Sequence, residues 1–210
     1  MTAYDRFALP AALLALAAGC ARAPAPPAPV DAAARAGPAS ATAPPAAVSE
    51  QTLRPDIFFL GTPQPVVDAM LELADVKPGD VLYDLGSGDG RIPITAAKRY
   101  GIRAVGIEID PELVAEARAN ARKAGVAHLV TFVERDLFLA DIGEASVVTL
   151  YLLDRLNEQL RPKLLRDLAP GTRIVSHQFG MGDWRPEATR TIGRSDIHLW
   201  RVPGAPSRHR

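Results

Sequence analysis

At 210 residues the chain has room for one well-packed domain with appendages and too little for two large cores. Its 24 Lys and Arg balance 24 Asp and Glu, so no net field draws it towards nucleic acid, and a nucleic-acid partner is not expected. The basic cluster Arg208-His209-Arg210 reads as a solvated terminus.

Residues 7–19 form an apolar run too short to span a bilayer as a helix but of the length of a signal-peptide core. Small residues lead from it into Cys20, the single cysteine, which has no partner for an intramolecular disulfide. Leu16-Ala17-Ala18-Gly19-Cys20 resembles a bacterial lipobox, which implies cleavage before Cys20 and a lipid on its sulfur. Residues 1–20 are therefore expected to be a lipoprotein signal, with the protein membrane-anchored and facing the periplasm; a mis-assigned start would instead leave it cytoplasmic. Residues 21–50 are dominated by Ala and Pro, as in Ala23-Pro24-Ala25-Pro26-Pro27, and cannot bury enough apolar surface to offset their ordering entropy. They read as an extended, disordered linker. One domain then covers 51–203, residues 204–210 form a disordered tail, and a monomer is expected.

Within the domain, Thr62-Pro63 reads as an N-cap and first helical position, with Val66, Val67, Met70, Leu71 and Ala74 at helical spacing to about Val76. Val81-Leu82-Tyr83 is a first, central strand ending at glycines, and a helix over 91–100 follows. Residues 104–109 read as a second strand, and Asp110-Pro111 caps a helix that ends at Gly125. Further strands are expected over 129–133, 145–152 and 172–176, with a helix over 157–168. Alternating strands and helices imply parallel pairing with right-handed crossovers. Residues 189–192 and 197–202 lack a helix between them and are expected to close the sheet as an antiparallel pair. The predicted fold is a doubly wound α/β domain with a mostly parallel seven-stranded sheet.

In such a sheet ligands bind beyond the carboxyl ends of the strands at the point where strand order reverses. There the chain reads Asp84-Leu85-Gly86-Ser87-Gly88-Asp89-Gly90. Glycines let the backbone approach a ligand without Cβ interference, but the Gly-x-Gly-x-Gly spacing is not the Gly-x-Gly-x-x-Gly of pyrophosphate loops. Asp84 can accept from an ammonium group while backbone N–H groups meet a carboxylate. Glu108, at the end of the second strand, can accept from both ribose hydroxyls. Asp136, followed by Leu137 after the third strand, can accept an adenine amino group while neighbouring backbone meets the ring. Each acid alone could equally cap a helix; three at successive strand ends outline the rim of one nucleoside site.

These residues resemble the motifs of class I S-adenosylmethionine-dependent methyltransferases, over most of the stretch 62–202. Asp84 to Ile92, Gly106-Ile107-Glu108, Asp136-Leu137-Phe138, Gly171 to Ser176 and Trp200 are similar to the protein-lysine methyltransferases of the adenine nucleotide translocase and ATP synthase c-subunit type. The resemblance implies S-adenosylmethionine as cofactor, held by Asp84, Gly86, Ser87, Gly88, Gly90, Glu108, Asp136 and Leu137, and a protein lysine as acceptor. Methyltransferases acting on adenine or glutamine nitrogen carry Asp/Asn-Pro-Pro-Tyr after the fourth strand, whereas this chain has Thr149-Leu150-Tyr151-Leu152, which disfavours base and amide acceptors. Tyr151 and His177 are the candidate catalytic groups, with Phe58, Phe59 and Trp184 as candidate neighbours, against the alternative that each simply packs. No cluster has metal-ligand spacing. A small-molecule methyltransferase and a non-catalytic cofactor-binding module remain alternatives.

Overall fold

The computed structural model describes residues 60–204. The expectations for the signal and linker segments, Cys20, Phe58, Phe59 and residues 205–210 lie outside the described residues. Eleven elements follow in order: α1 (Gln64–Leu73), β1 (Val81–Leu85), α2 (Arg91–Tyr100), β2 (Arg103–Glu108), α3 (Pro111–Lys123), β3 (Val130–Glu134), β4 (Val147–Leu150), α4 (Asp154–Asp167), β5 (Arg173–His177), β6 (Ala188–Ile192) and β7 (Ser195–Arg201).

The strands form one seven-stranded sheet in the order β3-β2-β1-β4-β5-β7-β6. The first five pair in parallel, and β7 is antiparallel to both β5 and β6, as the missing helix between the last two strands implies. Side chains of β1 alternate between faces. Leu82 joins the core under α1, α2 and α3, whereas Tyr83 and Leu85 join the core built with Leu160 and Leu164 of α4 and with Trp200. Strand order reverses between β1 and β4, which opens a crevice at their carboxyl ends.

Two helix starts differ from the sequence reading for identifiable reasons, and the expected fourth strand, 145–152, shortens to Val147–Leu150. Pro63, not Thr62, occupies the N-cap of α1, with ψ at 142° and no side-chain cap; the Thr62 hydroxyl, which would have capped the helix, turns instead to His177, 3.2 Å away. Helix α4 begins at Asp154 rather than Asn157. Asn157 lies fully buried, its amide donating to the Ser176 hydroxyl and to the Phe179 and Gly180 carbonyls.

The amino end of the sheet is tied by a buried ion pair between Arg173 and Asp80. Asp80 also accepts from the Lys77 amide (2.9 Å) and the Ser146 hydroxyl (2.8 Å), and Arg173 donates to the Ala74 and Asp75 carbonyls. Burial alone would raise the Asp80 carboxyl, but these donors bring it below the usual carboxylate range. The carboxyl end depends instead on close approach. A Cβ on Gly106 of β2 would sit 2.5 Å from the Phe132 ring and 2.6 Å from Ser87 Oγ, so only glycine lets the turn after β1 settle over β2. Gly106→Ala is expected to lower unfolding free energy by about 1 to 3 kcal/mol, the usual cost of overpacking. Chemical denaturation checks this, and unchanged stability would mean that Phe132 and Ser87 yield freely.

Candidate active site

The turn after β1 folds back on β2: the Gly86 and Ser87 amides both donate to the Ile107 carbonyl, at 2.8 and 2.9 Å. Gly86 and Gly90 adopt φ of 83° and 80°, a region costly for any residue with a Cβ. Glu108 locks the arrangement. Its Oε2 accepts from the Gly88 amide at 2.8 Å, and its Oε1 accepts from the amides of Ile109 (2.8 Å) and Asp110 (3.0 Å). A carboxylate offers roughly four acceptor positions, so Glu108 shapes the turn and still has capacity for an outside donor. The turn-shaping contact is a role the sequence reading lacked.

Asp84 stands beside it, 3% exposed, accepting from Thr149 Oγ1 of β4 at 2.7 Å. Burial pushes its carboxyl up to about 8, repulsion from Glu108 and Asp89 adds to the rise, and the Thr149 bond opposes it. Among the described residues, Ser87 Oγ is buried with no hydrogen-bond partner. Past β3, Asp136 Oδ1 accepts from the Phe138 amide at 2.8 Å and the Asp136 carbonyl from the Leu139 amide, forming a tight turn that carries Leu137 against the core. Because Glu108 pairs in register with Glu134, Asp136 lies next to the Glu108 end of the crevice. Asp84, Glu108 and Asp136 thus mark the ends of three adjacent strands, as the sequence implies.

On the other side of the switch point, Tyr151 follows the register pair Leu85–Leu150, so it flanks Gly86. His177 ends the adjacent β5, and its ring lies 3.9 Å from that of Tyr151, tilted by 31°. Phe179 stacks with Tyr151 as well, with ring centroids 6.0 Å apart. Phe179 was missed in the sequence because the intervening Gln178 takes a left-handed turn, φ 69°, that no local signal marks. Burial pushes the His177 imidazole down to about 4, so the ring is neutral at pH 7. Trp184 does not join this group. It packs on Arg161 and Trp200, whose indole N–H donates to the Trp184 carbonyl at 2.7 Å. A groove of about 560 Å³ on the helix face, lined by Gln64, Arg91, Lys98 and Asn120 among others, lacks the convergent carboxylates of the strand ends.

These features fit S-adenosylmethionine: a glycine-rich backbone turn, a buried acid whose hydrogen-bond partner is a hydroxyl rather than a cation, and an unpaired buried hydroxyl. The doubly wound fold with its antiparallel closing pair and this crevice define an S-adenosylmethionine-dependent methyltransferase. Residues 84–188 match the family described as the ANTKMT methyltransferase domain, and the chain belongs to that family. It is 49% identical over 134 residues to a protein-lysine N-methyltransferase of Saccharolobus islandicus, covering 63% of this chain and 83% of that protein. It is 34% identical over 149 residues to the mouse adenine nucleotide translocase lysine N-methyltransferase, covering 70% of this chain and 63% of that protein. A solved structure described as an RNA methyltransferase from Salinibacter ruber, in complex with S-adenosyl-L-homocysteine, is 58% identical with a TM-score of 0.69, covering 70% of this chain and 97% of that one.

The raised Asp84 carboxyl has a measurable consequence. Its value in the folded protein lies above the ordinary 3.8, so the folded state favours the protonated form. The stability it contributes is complete below about 4 and is lost as pH rises through about 8. Asp84→Asn, which keeps the shape without the charge, is expected to unfold at a higher temperature than wild type at pH 9 and to exceed it by a clearly smaller margin at pH 5. Identical differences at the two pH values would contradict the assignment.

Proposed function

We propose that this methyltransferase acts on the ε-amine of a lysine in a protein, and that Asp84, Glu108 and Asp136 hold the cofactor's ammonium, ribose and adenine groups. When bound, S-adenosylmethionine supplies an electrophilic methyl on a positive sulfonium. Glu108 keeps the glycine turn in place against the cofactor, and Leu137 lies along the adenine. The observation that carries the acceptor reading is the aromatic pair Tyr151–His177 on the β4–β5 side of the crevice.

A lysine with pKa about 10.4 is neutral only about once in several thousand at pH 7, yet only the neutral amine has a lone pair for attack. Apolar ring surfaces favour that neutral form. His177, held neutral by burial, is too weak a base to keep the proton, so it supports the Tyr151 ring while the Tyr151 hydroxyl passes the proton to water. Alignment of nitrogen, methyl and sulfur supplies much of the remaining rate. The lysine activity in the names of the Saccharolobus and mouse relatives supports the same acceptor.

The description of the Salinibacter structure favours a second reading, RNA as acceptor. Against it stands the charge balance, 24 basic against 24 acidic side chains, since RNA binding draws on a basic footprint. Labelled methyl transferred from S-adenosylmethionine into a bacterial extract separates the two. Label that resists ribonuclease, is released by protease and appears as methyl-lysine after acid hydrolysis is the expected result, whereas label lost to ribonuclease would replace lysine with RNA. Tyr151→Phe is expected to slow transfer about a hundredfold, the lower end of what a proton-handling group contributes, with cofactor affinity unchanged.

We also infer that the chain is tethered to the membrane through a lipid on Cys20, on the strength of the segment Leu16–Cys20. The wild-type protein is then expected to fractionate with membranes and Cys20→Ser with the soluble proteins; equal partitioning of both would remove the tether.

A further inference from the structure

The stretch just before α1 joins the two halves of the crevice. Thr62 is 3% exposed, and both of its polar ends are engaged with parts of the site distant in sequence. Its hydroxyl meets His177 Nδ1 at 3.2 Å on the β5 side. Its carbonyl accepts from Arg91 Nη1 at 2.9 Å, and Arg91 grips Asp89 of the glycine turn through Nε (2.9 Å to Oδ1) and Nη2 (2.6 Å to Oδ2). Asp89 is held in turn by Asn120, whose amide donates to its carbonyl at 3.0 Å. The guanidinium lies so close over Gly61 that a Cβ there would fall 2.5 Å from its carbon and would have to displace it.

We propose that Thr62 is a positioning residue for methyl transfer: its hydroxyl sets the His177 ring that backs Tyr151, and its carbonyl fixes that assembly to the cofactor turn through Arg91 and Asp89. The proposal rests on the reading of Tyr151 and His177 as the acceptor side. A ring whose buried nitrogen has one protein partner is oriented by that partner, as with the outer hydrogen bonds that fix catalytic imidazoles. Removing the hydroxyl leaves Nδ1 unpaired and lets the ring turn, so the Tyr151 face loses its backing while the cofactor turn, held by Glu108, stays intact.

The test uses the full chain as wild type, Thr62→Val, Thr62→Ser and Tyr151→Phe. Three quantities are measured: S-adenosylmethionine affinity by calorimetry, labelled-methyl transfer to a dialysed bacterial protein extract at saturating cofactor, and the imidazole 15N shifts of His177. Thr62→Val is expected to slow transfer about tenfold, the equivalent of one hydrogen bond, to leave cofactor affinity within about twofold, and to shift His177 Nδ1. Thr62→Ser, which restores the hydroxyl, is expected to recover the rate and the spectrum. Wild-type transfer by Thr62→Val overturns the proposal. So does a wild-type His177 spectrum showing Nδ1 without a hydrogen bond, which decides the matter even if Thr62→Val does not fold. Tyr151→Phe separates the two claims: if it is slow while Thr62→Val is not, the positioning role alone fails; if it transfers at the wild-type rate, the acceptor-side reading fails.

Discussion

One carboxylate organises the site. Glu108 gathers three backbone amides, those of Gly88, Ile109 and Asp110, at the point where β2 ends and the turn after β1 passes over it. Charge-assisted bonds of this kind are about twice as strong as neutral ones, and these are largely shielded, since Glu108 is 8% exposed. Without them the Gly88 amide would be buried without an acceptor, and the turn would have little reason to hold its left-handed conformation. The glycines make the path sterically possible, Gly106 lets the turn descend onto β2, and Glu108 selects it.

The site's chemistry then divides along the sheet. On the β1–β2–β3 side, carboxylates and amides suit a polar, cationic cofactor, and Asp84 is kept in an environment that disfavours its own charge. Such an arrangement lowers the stability of the free protein near neutral pH and favours a ligand that brings positive charge, a common trade between stability and function. On the β4–β5 side the groups are aromatic and neutral: Tyr151, His177 and Phe179. The switch point separates a charged half from an aromatic half.

Much of this was legible in the sequence where local chemistry and long-range geometry agree. Acids at successive strand ends, Asp84, Glu108 and Asp136, must converge if the strands are parallel neighbours, and the helices between them make parallel pairing the natural expectation. The glycine turn and the Asp110-Pro111 cap are local codes, and the Asp110 side chain does accept from the Glu112 amide at 2.8 Å. What stayed hidden depends on partners far along the chain. Thr62 reads locally as a cap, but a histidine 115 residues away takes its hydroxyl. The Arg173–Asp80 pair spans 93 residues and leaves no periodic trace. Phe179 reaches the site only because Gln178 turns left-handed.

Glu108 shapes the turn, and we propose that it also holds the cofactor. Calorimetric titration of S-adenosylmethionine into Glu108→Ala, with amide exchange followed at Gly88, tests it most directly. The account requires binding to weaken by about 1 to 3 kcal/mol, the loss attending a removed charged acceptor, and the Gly88 amide to exchange faster, in a variant that still unfolds cooperatively. Wild-type affinity in such a folded variant would contradict it.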